Sequence, residues 1–465
     1  MAASKFGKVI RRAAAALVLL ILALLLALWL EPPEILRVGA NYSAKMVCSN
    51  VFLAGRDPEE VLRSDVQAPG VALLRLMRVS VDRDRRVVRA GLLGFIGDGL
   101  AVARPGSGCA AVPDGNLAFA THVGVVGAHA VAAGPYVTAI TAAAGDADWP
   151  DGSIVTTTAA LDRLLADDAL AGPGMRAIVV VHHGRIAAER YGAGFSATTP
   201  LLGWSMTKSV IAGLVGVLVK EGRLALDQSA GGSGAGGGGD GGAGERIRIA
   251  DLLSMSSGLQ FNEAYGTVSD VTRMLYLQPD MAGFARAQPR VHPAGEYWSY
   301  SSGSANILSR IVQDAAGSLA AAYPLEKLFK PLGMTSATLE TDEYGTLVGS
   351  SYMYATARDW ARYAQFLLQN GVWRGQEILP RGYVALMASP VAASGGQYGH
   401  GLVWLWDSDA KFRIPADTFW MEGHDGQSSA IIPSRDLVIV RLGLTPASDH
   451  YQPQPLVQAL LNALR

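Results

Sequence analysis

Gly203-Trp204-Ser205-Met206-Thr207-Lys208-Ser209, running directly into Val210-Ile211-Ala212-Gly213-Leu214-Val215-Gly216-Val217-Leu218-Val219, is the stretch on which the fold turns. The continuation is apolar on nearly every side, and a helix apolar all round is a buried central helix. Gly213 and Gly216 let neighbouring elements approach it closely. Ser205 then stands at the helix start, where unpaired backbone N–H groups and the helix dipole favour developing negative charge. Lys208, three residues on, shares its face at about 5–6 Å between Cβ atoms. Burial disfavours an ammonium, so a neutral Lys208 amine is available to take the serine proton.

Ser-x-x-Lys is a weak signal by itself. A second copy, Ser408-Asp409-Ala410-Lys411, sits in a charged stretch with no buried helix behind it and reads as a chance pairing. Context must separate the two, and two further elements supply it. Pro293-Ala-Gly-Glu-Tyr-Trp-Ser-Tyr300-Ser301-Ser302-Gly303 precedes a helix marked by Ile307, Leu308, Ile311 and Val312. Tyr300 is its candidate proton carrier, although an aromatic beside Tyr297 and Trp298 also reads as core packing. Gly423-His424-Asp425-Gly426-Gln427 enters the C-terminal strand. Gly426 there lets a substrate lie along a strand edge. The Gln427 N–H is a candidate partner for that of Ser205 in an oxyanion hole. His424 alone reads as an ordinary polar residue.

Two hairpins bracket this middle. Ala177 to Val181, the turn His182-His183-Gly184, and Arg185 to Tyr191 form the first; Ala430 to Ile432, the turn Pro433 to Asp436, and Leu437 to Leu442 form the second, with a closing helix over Leu456 to Leu464. Strands from opposite chain ends around a helical middle predict an α+β domain with an antiparallel sheet over residues 151–465. Gly231 to Gly244 is almost wholly Gly, Ser and Ala, and reads as a flexible loop. No Gly-Lys-Ser/Thr closes it as a phosphate loop would require.

Towards the N-terminus, residues 35–150 show short β-like stretches, Leu76 to Val81 and Arg86 to Ala90, with no sustained helix pattern. They predict a small β-rich domain. Its His122 and His129 lack carboxylate or thiol partners at ligand spacing, so no metal site is expected. Residues 1–34 are a basic flank (Lys5, Lys8, Arg11, Arg12) followed by an unbroken apolar run from Ala13 to Leu30. That run is long enough to cross the hydrocarbon core almost completely. The basic flank would stay on the cytoplasmic side. A cleaved signal peptide is the rival reading, but no small-x-small site stands at Leu28-Trp29-Leu30. Cys48 and Cys109 both follow this segment and are candidates to pair in an oxidising compartment. Two unrelated buried thiols is the alternative, and spacing does not choose.

Composition removes several classes. Half of the 465 residues are apolar, 17% are charged and the net charge is −1, which supports a large core and offers no field for nucleic acid. No Gly-x-Ser-x-Gly elbow exists for an α/β-hydrolase, and no two histidines sit at helical ligand spacing with a glutamate between them for a zinc hydrolase. No cofactor is implied.

Taken together, the Ser-x-x-Lys helix start, the tyrosine loop and the His-Asp-Gly strand entry occur in one order. With Leu252-Leu253-Ser254-Met255-Ser256-Ser257-Gly258-Leu259 and Leu332-Gly333-Met334, they resemble the serine β-lactamase and penicillin-binding-protein superfamily over about residues 155–465. The likeness is greatest to its class C-like branch of esterases, D-aminopeptidases and 6-aminohexanoate-dimer hydrolases. The resemblance implies a β-lactamase/transpeptidase-like fold with an antiparallel sheet, flanking helices and an all-helical subdomain. It implies Ser205 as the acylated serine, Lys208 as its base and Tyr300 as the tyrosine of Tyr-x-Asn. Ser302 replaces that asparagine, and His424-Asp425-Gly426 stands where β-lactamases have Lys-Thr-Gly. Both departures point away from antibiotics and towards a small ester, amide or peptide as substrate. The catalytic domain would lie on the periplasmic side of a bacterial inner membrane, held by the N-terminal helix. A membrane-anchored sensor that acylates without turnover is the alternative, and burst kinetics separate the two. The oligomeric state is not legible.

Overall fold

A computed structural model describes residues 2–69, 71–123, 148–231, 246–405 and 412–464. The glycine-rich stretch from residue 232 onward, His129 and the second Ser-x-x-Lys at Ser408 to Lys411 lie outside these residues.

The hydrolase core is a five-stranded antiparallel sheet. Its strands are β5 (Met175–His182), β6 (Arg185–Tyr191), β7 (Phe419–Gly423), β8 (Gln427–Ile432) and β9 (Leu437–Gly443), in the order β7-β8-β9-β5-β6. Strands from opposite chain ends meet at β9 and β5, in register from Leu437 opposite His182. Both hairpins are thus present, and they zip together as the sequence pattern requires. The sheet is covered on both faces, so its strands read as continuous apolar runs rather than alternating ones. Along β5, Ala177, Val179 and Val181 join the main core, whereas Ile178 and Val180 join a second cluster with Leu456, Leu460 and Leu461. Those leucines belong to the C-terminal helix (Gln454–Ala463).

On the main-core side lie α3 (Met206–Lys220), α5 (Ser302–Ala316) and α6 (Ala357–Leu368). Every residue of α3 from Met206 to Leu218 is buried, as its all-round apolar pattern predicts.

The N-terminal third departs from expectation. Strands β1 (Met77–Asp82), β2 (Val87–Leu92), β3 (Ile96–Arg104) and β4 (Gly108–Ala111) form the anticipated antiparallel meander. Across it, however, lies a 19-residue helix, α2 (Glu34–Phe52), where no helix pattern was legible. The reason is its burial: residues Val38 to Val51, except Tyr42, are buried on all sides, so no polar face marks the 3.6-residue period. The segment also packs closely on the rest of the chain. Its apolar residues belong to the same core cluster as α3, and α2 packs on α4 (Asp270–Leu277). Lys45 forms a fully buried ion pair with Glu340, Nζ to Oε2 2.5 Å. Arg104 donates to the carbonyls of Thr341, Asp342 and Glu343. Cys48 of α2 and Cys109 of β4 are disulfide-bonded, with Cα atoms 6.0 Å apart.

Ahead of these lies α1 (Ala2–Leu30). Its Val9–Leu30 portion has a mean hydropathy of 2.9 and is unburied, long and apolar enough to cross a membrane.

Candidate active site

Ser205 caps the N-terminus of α3 and is partly exposed, while Lys208 on the same face is completely buried. The turn that presents the serine is tight. Trp204 adopts a left-handed φ of 47°, a conformation that a bulky side chain accepts only where surrounding packing enforces it. Gly203 passes so close to Trp360 that a Cβ would lie 2.1 Å from its ring.

The Lys208 Nζ sits 2.9 Å from Ser205 Oγ, 3.0 Å from Ser302 Oγ and 2.9 Å from the Ser350 carbonyl. An ammonium donates to all three. A neutral amine donates to two and turns its lone pair to the third. Burial pushes the lysine down to about 8, opposed by the negative charge of Glu263. Glu263 acts through Ser302: its carboxylate accepts from the Ser302 N–H at 2.8 Å and from the Ser302 hydroxyl. The serine in the asparagine's place is therefore a bridge between lysine and carboxylate.

Tyr300, on the loop before α5, lies close enough to Ser205 for the serine hydroxyl to hold its phenol pKa down a little against burial. Its ring lies 4.8 Å from Lys208 Nζ and stacks on Trp404 at 5.5 Å. Burial pushes its phenol well above the ordinary tyrosine value. It therefore keeps its proton at neutral pH.

At the strand entry the structure redistributes the expected parts. Gly426, anticipated beside the substrate, has φ 78° and its carbonyl accepts from Arg441 Nη1 at 2.8 Å; a Cβ there would meet Arg441. The residue packed against the serine turn is Gly423, where a Cβ would fall 2.3 Å from the Gly203 carbonyl oxygen. The Gln427 side chain is spent on the turn itself. Its Nε2 donates to the carbonyls of His424, Asp425 and Gly443, and its Oε1 accepts from the Gly443 N–H. His424 stacks on Tyr265 at 4.5 Å, meets Trp204 edge-on at 5.4 Å and lies 3.3 Å from Asp425. So Ser205, Lys208, Tyr300 and Ser302 come together, His424 flanks them, and Gly426 and Gln427 hold the turn.

Sequence reasoning missed Glu263, Tyr265 and Gly423. The first two lie in a loop with no motif. Gly423 was readable, since it is the last residue of its strand and immediately precedes the quoted His424.

With this geometry in place, comparison with known proteins is informative. The beta-lactamase family model matches residues 165–451. The chain is 25% identical over 302 residues to a 6-aminohexanoate-dimer hydrolase of Paenarthrobacter ureafaciens, covering 59% of this chain and 73% of that one. A Bacillus anthracis structure proposed to be a 6-aminohexanoate-dimer hydrolase superposes with a TM-score of 0.53 at 22% identity, covering 65% of this chain and 81% of the other. EstCE1, a hydrolase with promiscuous acyltransferase activity, gives 0.53 at 17% identity, covering 66% and 97%. These structural likenesses establish a shared fold.

Proposed function

The chain belongs to the beta-lactamase family, and from that membership we propose that it is a serine hydrolase working through an acyl-enzyme. Ser205 is the nucleophile, Lys208 its base and Tyr300 the proton carrier to the leaving group. One observation carries this reading: a wholly buried lysine, held near 8, with its nitrogen 2.9 Å from a serine at a helix start.

Neutral Lys208 keeps two N–H bonds, to Ser302 and to the Ser350 carbonyl, and its lone pair takes the Ser205 proton as Oγ attacks the substrate carbonyl. The oxyanion forms between the Ser205 N–H and the Gln427 N–H, at the strand entry that Gly423 packs against the serine turn. Tyr300 passes a proton to the departing oxygen or nitrogen. Water then cleaves the acyl-enzyme by the reverse relay.

The substrate is a carboxylic ester or amide rather than a β-lactam. Neither His424-Asp425-Gly426 nor the preceding Met421-Glu422-Gly423 supplies the lysine of Lys-Thr-Gly, and a charge-assisted hydrogen bond contributes roughly twice a neutral one. Ser302, shorter than asparagine, is already engaged by Lys208 and Glu263 and has no amide to offer an antibiotic side chain. We read α1 as an uncleaved anchor with the catalytic residues outside the cytoplasm, where the Cys48–Cys109 bridge persists.

The test compares kcat/KM for p-nitrophenyl acetate and a chromogenic cephalosporin, alongside labelling by a serine-directed phosphonate. The ester should win, and Ser205→Ala should abolish both hydrolysis and labelling. Labelling that survives Ser205→Ala, or a clear advantage for the cephalosporin, overturns the reading.

A further inference from the structure

A cavity of about 250 Å³ opens beside the serine turn. On the hydrolase side it is lined by Trp204, the residue before the nucleophile, and by Tyr265 and His424. Its opposite wall is the first two turns of α2, through Ile35, Val38, Gly39 and Tyr42. Its rim includes Val71, Leu73 and Leu74 of the turn before β1. The lining is chiefly carbon, with His424, Asp425, Thr267 and Thr272 among its polar members.

Two features orient this cavity. Its α2 wall begins at Glu34, four residues after the membrane-length helix ends at Leu30. Close in the chain to this lining, Leu76, Leu93 and Phe95 are 47%, 45% and 48% exposed, and the Leu93 N–H bonds the Leu76 carbonyl at 2.9 Å, which brings the first two side by side. Phe95 leads into β3, which α1 touches. An exposed apolar patch beside a membrane-length helix marks a bilayer contact. Cavity, patch and α1 thus lie at one end of the molecule.

We propose that this cavity is an acyl-chain subsite, and that the substrate is a fatty-acyl ester of an amphiphile drawn from the bilayer. The proposal rests on Ser205 being the nucleophile. In this proposal the acyl part lies against Trp204 and His424, with its chain along the α2 residues of the cavity towards the membrane. The bond from Ser205 Oγ to the acyl carbon forms as the ester C–O bond breaks. The alcohol leaves with the proton carried by Tyr300, and water then releases the fatty acid.

Two measurements on the full chain in nanodiscs test this. In a p-nitrophenyl ester series from acetate to myristate, kcat/KM should climb by up to about fourfold per methylene, from ~0.8 kcal/mol per buried CH₂, and level off once the chain fills the cavity. Leu73→Trp, at the rim, should move the plateau to shorter chains. Independently of turnover, a decanoyl ester bearing a terminal diazirine should crosslink Ser205→Ala protein at residues 35–42 and 71–74. A flat series with crosslinks confined to α1, as for bulk lipid or a second copy of that helix, overturns the subsite while leaving the hydrolase intact. Pocket crosslinks in a protein that hydrolyses no ester at any length would show a lipid-binding cavity and overturn the fatty-acyl ester as its substrate.

Discussion

At the scale of single residues the chemistry depends on one proton. Lys208 must be neutral to accept from Ser205, and burial holds it near 8. The pKa is depressed, so the base form is full above 8 and is lost as pH falls. The kcat/KM profile, which reports the free enzyme, should therefore show an acid limb centred near 8 and fall about tenfold per unit below it. Glu263 raises the lysine by its charge, so Glu263→Gln should move that limb to lower pH, whereas a merely structural role would lower the whole profile without moving its midpoint. A pH series on both proteins decides. Ser205 and Lys208 were legible because the chain encodes them locally, three residues apart at a helix start. Glu263 was not, because it stands in a loop far from Lys208 in the chain and meets the site through Ser302, 39 residues on. Gly426 was chosen over Gly423 for a similar reason: both are glycines in one phrase, and only the packed strand reveals which one faces the Gly203 carbonyl.

At the scale of elements, the bracketing hairpins and α3 were readable because their apolar runs are contiguous, while α2 was hidden by burial on all sides. What fixes α2 to the hydrolase is equally invisible in sequence, since Lys45 and Glu340 stand 295 residues apart. Lys45 donates to Ser49 and Glu340, and Glu340 in turn accepts from the Cys109 N–H, so helix, strand and hydrolase converge on one carboxylate. Burial lowers the lysine against the pull of Glu340. Breaking such a pair leaves an uncompensated buried charge, at a cost of about 3–5 kcal/mol, whereas removing both charges together is far milder. Lys45→Met should thus destabilise the protein by about that amount, and Lys45→Met/Glu340→Gln should recover much of it. Denaturant midpoints of the two variants, read as a coupling energy, check this. A double variant no better than the single would mean the pair is not what joins the two parts.

At the scale of the whole molecule, α1 and α2 differ sharply in what they give to the fold. Helix α1 leaves its apolar surface outside the protein core, so folding draws little from it. Helix α2 is the reverse. It buries Leu36, Val38, Met46, Val47 and Val51 in the core that also holds Met206 and Val210 of the catalytic helix. At ~1.5–3 kcal/mol per buried side chain, these five contribute roughly 8–15 kcal/mol gross. That is as much as the net stability of a typical protein, about 5–15 kcal/mol. The disulfide across 61 residues adds a further ~4 kcal/mol by restricting the unfolded chain. A chain starting at Pro32 should therefore fold, stay in solution without detergent and hydrolyse p-nitrophenyl acetate at a rate close to the full-length protein. One starting at Asp57 loses α2 and Cys48 together, uncovers β2 and β3, and strands Glu340 without Lys45, so it should aggregate or melt far lower. Gel filtration, thermal melts and acetate turnover on the two truncations distinguish the cases. A folded, active chain from Asp57 onward would support the independent N-terminal domain that the sequence pattern had predicted. It would also remove the wall on which the acyl subsite depends, so that this protein should keep its acetate activity and lose any gain from longer chains.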